Sequence, residues 1–179
     1  LDLKEVWFIP SREPPHKPAA APAEHRHAMA LLATAPHPDF RVSDLELRRP
    51  GPSYTVDTVE ALRRERPHDE LYYLVGVDAY RDIATWRRAQ DLVNRVTMIA
   101  LPRPGYDLSG LAPEFRERVR VLEAPRWDIS STDVRARLAR GASVRYLLPE
   151  AVAAYLAKHG LYQDDRHQGD RASPAEGDR

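Results

Sequence analysis

Four short apolar runs, each halted by a chain breaker or giving way to a segment of helical spacing, limit what this chain can fold into. Val6-Trp7-Phe8-Ile9 is closed by Pro10, Leu71-Tyr72-Tyr73-Leu74-Val75 by Gly76, and Val96 to Leu101 by Pro102; Val119-Arg120-Val121-Leu122 is a fourth and shorter run. Apolar stretches this short read as strands buried in a sheet. Phe40 to Leu47 reads as a further strand, more polar and nearer an edge. Helical segments separate them. One runs from about Ala23 to Ala35, and Val56, Val59, Leu62 and Arg63 lie at helical spacing within Thr55 to about Arg66. A short helical region spans roughly Asp78 to Val93, and helices from Ser131 to about Arg140 and from Pro149 to about Lys158 close the pattern. Strands alternating with helices indicate parallel pairing with right-handed crossovers, hence an α/β doubly wound, Rossmann-like domain. Ligands of such sheets bind beyond the carboxyl ends of the strands. The chain leaves those ends at Pro10, Gly76, Pro102 and Asp128.

The 16 prolines keep the elements short, and 179 residues suffice for one domain with a sizeable core. That domain is expected over 1–163. From 164 to 179 the chain turns polar and charged, the composition of a disordered tail. Lys plus Arg equals Asp plus Glu at 27 each, so no global field draws nucleic acid or an anionic membrane, and any anion site must be local. There is no cysteine, which removes disulfides and thiolate metal sites and agrees with a cytoplasmic protein. No apolar run reaches the length of a membrane span and no signal peptide is visible. Nothing in the sequence signals an oligomeric state.

Ile129-Ser130-Ser131-Thr132-Asp133-Val134-Arg135 is the best candidate for that local site. Ser130 is a good N-cap, and Asp133 three residues later completes a capping-box pattern. Ser131 and Thr132 then lie four and three residues before Arg135, on one face of the first turns. Free backbone N–H groups and the positive end of the helix dipole point the same way, so an anion there is held by dipole, hydroxyls and guanidinium together. The plain alternative is a helix cap and nothing more.

In this order along the chain, Ile9-Pro10-Ser11 with Pro14-Pro15-His16-Lys17, Pro52-Ser53-Tyr54-Thr55, Gly76-Val77-Asp78 with Thr85-Trp86, Arg103-Pro104-Gly105-Tyr106, Ile129 to Arg135, and Leu147-Leu148-Pro149 with Gly160-Leu161-Tyr162 form a set. The set resembles the bacterial nicotinate-nucleotide adenylyltransferases of the nucleotidylyltransferase superfamily, over roughly Leu3 to Tyr162. That family opens with a strand, a Gly-Gly-Thr-Phe-Asp-Pro loop and a His-x-Gly-His motif, and neither motif occurs here. The expectation is a chain that begins at the family's second strand and turns over slowly as it stands.

The resemblance implies transfer of the adenylyl group of ATP to nicotinate mononucleotide, giving deamido-NAD and pyrophosphate in NAD synthesis, with Mg²⁺ accompanying ATP. Small molecules would be the only partners. It assigns Arg135, with Ser130, Ser131 and Thr132, to the ATP phosphates. His16 and Lys17, counted with Arg135 as catalytic, would reach nucleotide phosphates, unless their segment is only a solvated proline loop. Gly76 and Asp78 would meet the ATP ribose, although a carboxylate there could equally cap a helix. Arg103 would add a phosphate or ribose contact, or be a surface arginine in a Pro-Gly turn. Thr55 and Trp86, with Tyr54 and Arg87, would form the nicotinate pocket, where Trp86 and Tyr54 could otherwise be packing residues. Arg12, His25 and His27 are read as surface, and the two histidines, two apart, do not make a metal pair on a helix. The alternatives are a sibling transferase with another acceptor, or a catalytically inactive nucleotide-binding module.

Overall fold

The structure, a computed structural model, describes residues 1–16, 18–103, 105, 108–123, 125 and 129–163. The chain divides into two compact units. The first comprises residues 1–10, 19–47 and 128 onward, and the second 11–18 and 48–127.

In the first unit β1 (Val6–Phe8) pairs in parallel with β2 (Phe40–Val42), in the register Val6↔Phe40, and α1 (Ala23–Thr34) makes the crossover. The apolar run at Val6 predicts burial on both faces, yet Val6 and Trp7 are only half-buried and Phe8 is 38% exposed. Phe8 packs edge-on to Phe40, ring centroids 5.3 Å apart. The strand expected over Phe40 to Leu47 stops at Val42. Leu45–Arg48 is instead a single helical turn, α2. The Ser43 hydroxyl accepts from the Leu45 N–H at 3.2 Å, and this local capping outcompetes a ladder that polar alternation alone suggested. Helix α7 (Ser131–Ala139) and helix α8 (Glu150–His159) follow the expected bounds closely. The latter ends at Gly160, whose φ of +61° suits glycine best, with Lys158 and His159 in the last turn. α8 packs on α1, where His25 Nδ1 lies 2.9 Å from the Tyr155 hydroxyl and its ring 5.2 Å from that of His159. His25 is therefore an inter-helix contact and not a free surface residue.

In the second unit the strands β3 (Tyr72–Gly76), β4 (Thr97–Leu101) and β5 (Val119–Val121) form a parallel sheet in the order β3-β4-β5. Helix α3 (Thr55–Glu65) precedes it; α4 (Val77–Tyr80), a 3₁₀ turn (Ile83–Thr85) and α5 (Ala89–Arg95) link β3 to β4; α6 (Pro113–Arg116) leads into β5. The parallel α/β architecture expected from the alternation is thus present, its strands hydrogen-bonded as two sheets. One core of this unit gathers Val56 and Val59 of α3, Val75, Tyr80, Ile83, Leu92, Val93, Met98 and Phe115. Met98, Ile99 and Ala100 at the centre of β4 are all buried, as a continuous apolar run requires. β3 is less covered, with Val75 buried and Leu74 39% exposed. The helix expected from Asp78 to Val93 is broken between Thr85 and Ala89, where Arg88 adopts φ +52°.

Tyr80 is fully buried, and its hydroxyl donates to the Phe115 carbonyl at 2.9 Å. Burial pushes the phenol up to about 12 from its ordinary 10.0. The folded state therefore favours the protonated form. Its contribution is fully present below pH 10 and is lost as pH rises toward 12. Tyr80→Phe is expected to lower stability by about 1–2 kcal/mol at neutral pH, because the Phe115 carbonyl loses its donor. The same substitution should flatten the decline between pH 10 and 12, as read by urea unfolding at pH 8 and pH 11.

Candidate functional site

In the first unit the site residues gather at the start of α7. Ser130 is extended (φ −110°, ψ 142°), and its Oγ accepts from the Asp133 N–H at 3.0 Å, the cap expected from the sequence. The reciprocal half differs: the Ser130 hydroxyl donates to Asp133 Oδ2 at 2.7 Å. Asp133 is thereby turned onto its own cap. Ser131 and Thr132 are exposed on the first turn, and Arg135 is half-buried. Among the described residues the Arg135 guanidinium meets the Thr132 hydroxyl at 3.4 Å and no carboxylate. The Ser131 hydroxyl, the Thr132 hydroxyl with its long bond to Arg135, and a guanidinium without a carboxylate partner among the described residues are the groups that an anion at a helix N-terminus would need.

A second cluster lies in the other unit, where the register of the sheet creates it. Gly76 ends β3 opposite Leu101 at the end of β4. Asp78 and Arg103 therefore each sit two residues beyond paired strand ends, and the Arg103 guanidinium donates to the Asp78 carboxylate. Both side chains keep solvent contact, at 25% and 52% exposure, so the pair adds little stability and an incoming ligand can replace it. Asp78 is not the cap of α4: Gly76 holds that position, and Asp78 belongs to the first turn. A Cβ at Gly76 would meet Asp78 Oδ1, the end of a flexible side chain, so a larger residue there would push that carboxylate aside. A shallow polar cavity lined by Asp78, Arg81, Asp82, Gly110 and Leu111 adjoins the pair.

The third cluster surrounds the start of α3. Tyr54, extended, is the last residue before the helix, and Thr55 its first. The Arg87 guanidinium lies 4.5 Å from the centre of the Tyr54 ring and 3.9 Å from Asp57 Oδ2. A cation over an aromatic face is held by the ring quadrupole. Trp86 is half-buried, its ring edge-on to Tyr73 with centroids 6.1 Å apart, so it packs on the core rim and keeps part of its indole open. The structure thus brings Tyr54 and Arg87 together, with Thr55 on the adjoining turn. His16 is exposed, and Lys17 lies outside the described residues.

Ser53 is a residue whose role the sequence left blank. It is buried at 6% exposure; its Oγ accepts from the Arg12 N–H at 2.9 Å and the Glu13 N–H at 3.4 Å, while its own N–H donates to the Glu13 carbonyl at 2.8 Å. The proline-rich segment that carries His16 is tied by these bonds to the residue two positions before α3. Ser53→Ala is expected to cost about 1–3 kcal/mol through the orphaned N–H groups. Amide exchange at Arg12 and Glu13 should accelerate with it, and unchanged exchange would show the segment is held by something else.

The family described as cytidylyltransferase-like matches residues 1–137. A Thermus thermophilus protein named "Probable nicotinate-nucleotide adenylyltransferase" is 50% identical over 163 residues, covering 91% of this chain and 86% of that protein. A Symbiobacterium thermophilum protein of the same name is 45% identical over 177 residues, covering 94% of this chain and 85% of its own length. Among solved structures, the Plasmodium falciparum nicotinic acid mononucleotide adenylyltransferase complexed with NaAD is similar in fold, with a TM-score of 0.73 at 19% identity over 89% of this chain and 83% of that one.

Proposed function

The chain belongs to the cytidylyltransferase-like family, in its nicotinate-nucleotide adenylyltransferase branch, and from this we infer that it transfers the adenylyl group of ATP to nicotinate mononucleotide, giving deamido-NAD and pyrophosphate. What carries the assignment is half identity, over nine-tenths of the chain, to a relative of that name. A phosphate oxygen of the mononucleotide attacks the α-phosphorus of ATP. The bond from that phosphorus to the bridging oxygen breaks, and its electron pair leaves on pyrophosphate. The nucleophile is already an anion, so no general base is needed. The protein has to align two polyanions that repel each other and spread the charge of the leaving group.

The side chains fit those tasks. Arg135, Ser131 and Thr132, on the turn capped by Ser130, take the ATP phosphates and the departing pyrophosphate. Asp78 accepts from ribose hydroxyls once Arg103 releases it, and Gly76 leaves room for that carboxylate. Arg103 is then free for phosphate. Tyr54, Thr55, Trp86 and Arg87 receive the nicotinate end, the rings offering a stacking surface and the cation and N–H groups meeting the carboxylate. His16 and Lys17 supply further charge to the nucleotide phosphates.

Mg²⁺ is proposed as the ion that travels with ATP. Among the described residues no three carboxylates or imidazoles cluster so as to hold a metal. They do not form a cage for the ion, whose shell would be completed by phosphate oxygens and water. No described helix is long and apolar enough to cross a membrane. We place the reaction in the cytoplasm, in keeping with a chain without cysteine.

A coupled pyrophosphate-release assay tests the assignment. Release with nicotinate mononucleotide should exceed that with nicotinamide mononucleotide or phosphopantetheine at least tenfold, on the order of one lost charged contact. Equal release from all three would overturn the choice of acceptor.

A further inference from the structure

The turn between the 3₁₀ segment and α5 is held harder than its exposure explains. Trp86 leaves the 3₁₀ turn extended (φ −73°, ψ 145°), and Arg88 enters α5 left-handed (φ 52°, ψ 43°), a region that residues with a Cβ rarely occupy. Side-chain bonds surround it. Arg88 Nη2 donates to Glu60 Oε1 of α3 at 2.8 Å and also to Asp91 Oδ2. Arg95 closes the circuit, with Nε 2.8 Å from Asp91 Oδ1 and Nη2 3.5 Å from Glu60 Oε1. Four charges of alternating sign thus form a ring between α3 and α5.

The members of the ring act on one another. The hydrogen bond from Arg88 holds the Glu60 carboxyl below its usual range, that from Arg95 does the same for Asp91, and Glu60 raises Arg88 in turn. Arg63 of α3 adds a second stitch, donating to the Arg95 carbonyl at 2.7 Å. An exposed ring of this kind contributes little to global stability, so its value lies in fixing geometry. The segment it fixes carries Trp86 and Arg87, and the helix it fixes them to begins with Tyr54 and Thr55.

We propose that Arg88 is a positioning residue for the acceptor nucleotide: through Glu60 and Asp91 it locks the left-handed turn and so sets Trp86 and Arg87 relative to the start of α3. This rests on the assignment of those residues to the nicotinate end made above. Arg88 touches no reacting atom. It removes the freedom of the two residues that do contact substrate, and a misplaced binding group weakens capture of that substrate specifically.

Two variants test it. Arg88→Gly deletes the guanidinium and at the same time suits φ 52°, so the backbone is relieved and the fold is retained. Glu60→Ala breaks the ring from the other side without touching the turn. In both, KM for nicotinate mononucleotide should rise about tenfold, with kcat and KM for ATP within about twofold. The double variant should raise the acceptor KM by less than the product of the two single effects, because both break the Arg88–Glu60 bond. An acceptor KM within about twofold of the parent in both variants overturns the role. A parent protein that transfers nothing to nicotinate mononucleotide overturns the acceptor assignment and this role together, and that result is distinct because it appears before any substitution is made.

Discussion

Arg135→Ala is expected to lower kcat for pyrophosphate release by a few hundred-fold and to move the melting temperature hardly at all. A preorganised donor aimed at charge that develops in the transition state is worth on the order of 3 kcal/mol, which sets the size of the effect. Stability is spared because the guanidinium is bound only by the Thr132 hydroxyl, at the long distance of 3.4 Å, among the described residues. The helix keeps its cap through Ser130 and Asp133. Arg135→Lys should recover little, since an ammonium offers no bidentate fork to a phosphate. Steady-state kinetics and a thermal melt on the same preparations decide it. A variant that loses melting temperature in proportion to kcat would make Arg135 a structural residue, and the anion receptor at α7 would have to be given up.

Leu92→Ala is the largest expected loss of stability, about 2–5 kcal/mol from the removed methyl groups and the cavity they leave. Leu92 has no exposed surface, and it sits in the cluster with Val56, Val59, Ile83, Val93 and Met98. Helix α5 is only seven residues long, so it cannot persist on its own propensity and depends on this packing. Urea unfolding should show a lower midpoint with an unchanged slope. A loss below about 1 kcal/mol would mean that the neighbours close the space, which a close-packed core seldom allows. The same substitution carries a kinetic consequence. The turn at Arg88 opens α5, so loosening the helix should raise KM for the acceptor before the protein unfolds.

The parts of the fold that could be read from the sequence were those in which one physical signal dominated. β4 is buried along its centre, and full burial writes itself as the uninterrupted run Val96 to Leu101. Ser130 announced the start of α7 because an N-cap needs a hydroxyl at one position, and its bond to the Asp133 N–H is there. Where two signals competed, the weaker trace lost. Leu45–Arg48 alternates like a strand, but a hydroxyl at Ser43 turned it into a helical turn. The break at Arg88 left no mark, since an arginine, unlike a glycine or asparagine, carries no signal for a left-handed backbone. Nor did the run at Leu71 reveal how exposed Leu74 is, because an apolar residue on an open face looks in sequence like a buried one.

The site divides along the same line. Ser130, Ser131, Thr132 and Arg135 lie within six consecutive residues and could be assembled from spacing alone. Asp78 and Arg103 stand 25 residues apart, and only the pairing of Gly76 with Leu101 unites them. Ser53 and the segment it holds are separated by some 40 residues, so its buried hydroxyl passed for part of a motif without a task.

The pairing of Gly76 with Leu101 also dictates where this protein tolerates redesign. Asp78 and Arg103 meet because both connections advance in phase from one rung of the ladder. One added or deleted residue between Gly76 and Asp78, or between Leu101 and Arg103, throws the two out of step and separates acid from base. Chimeras built by exchanging strand-and-helix modules with relatives should therefore splice within the strands or well past position 103, leaving both short exits at their native length.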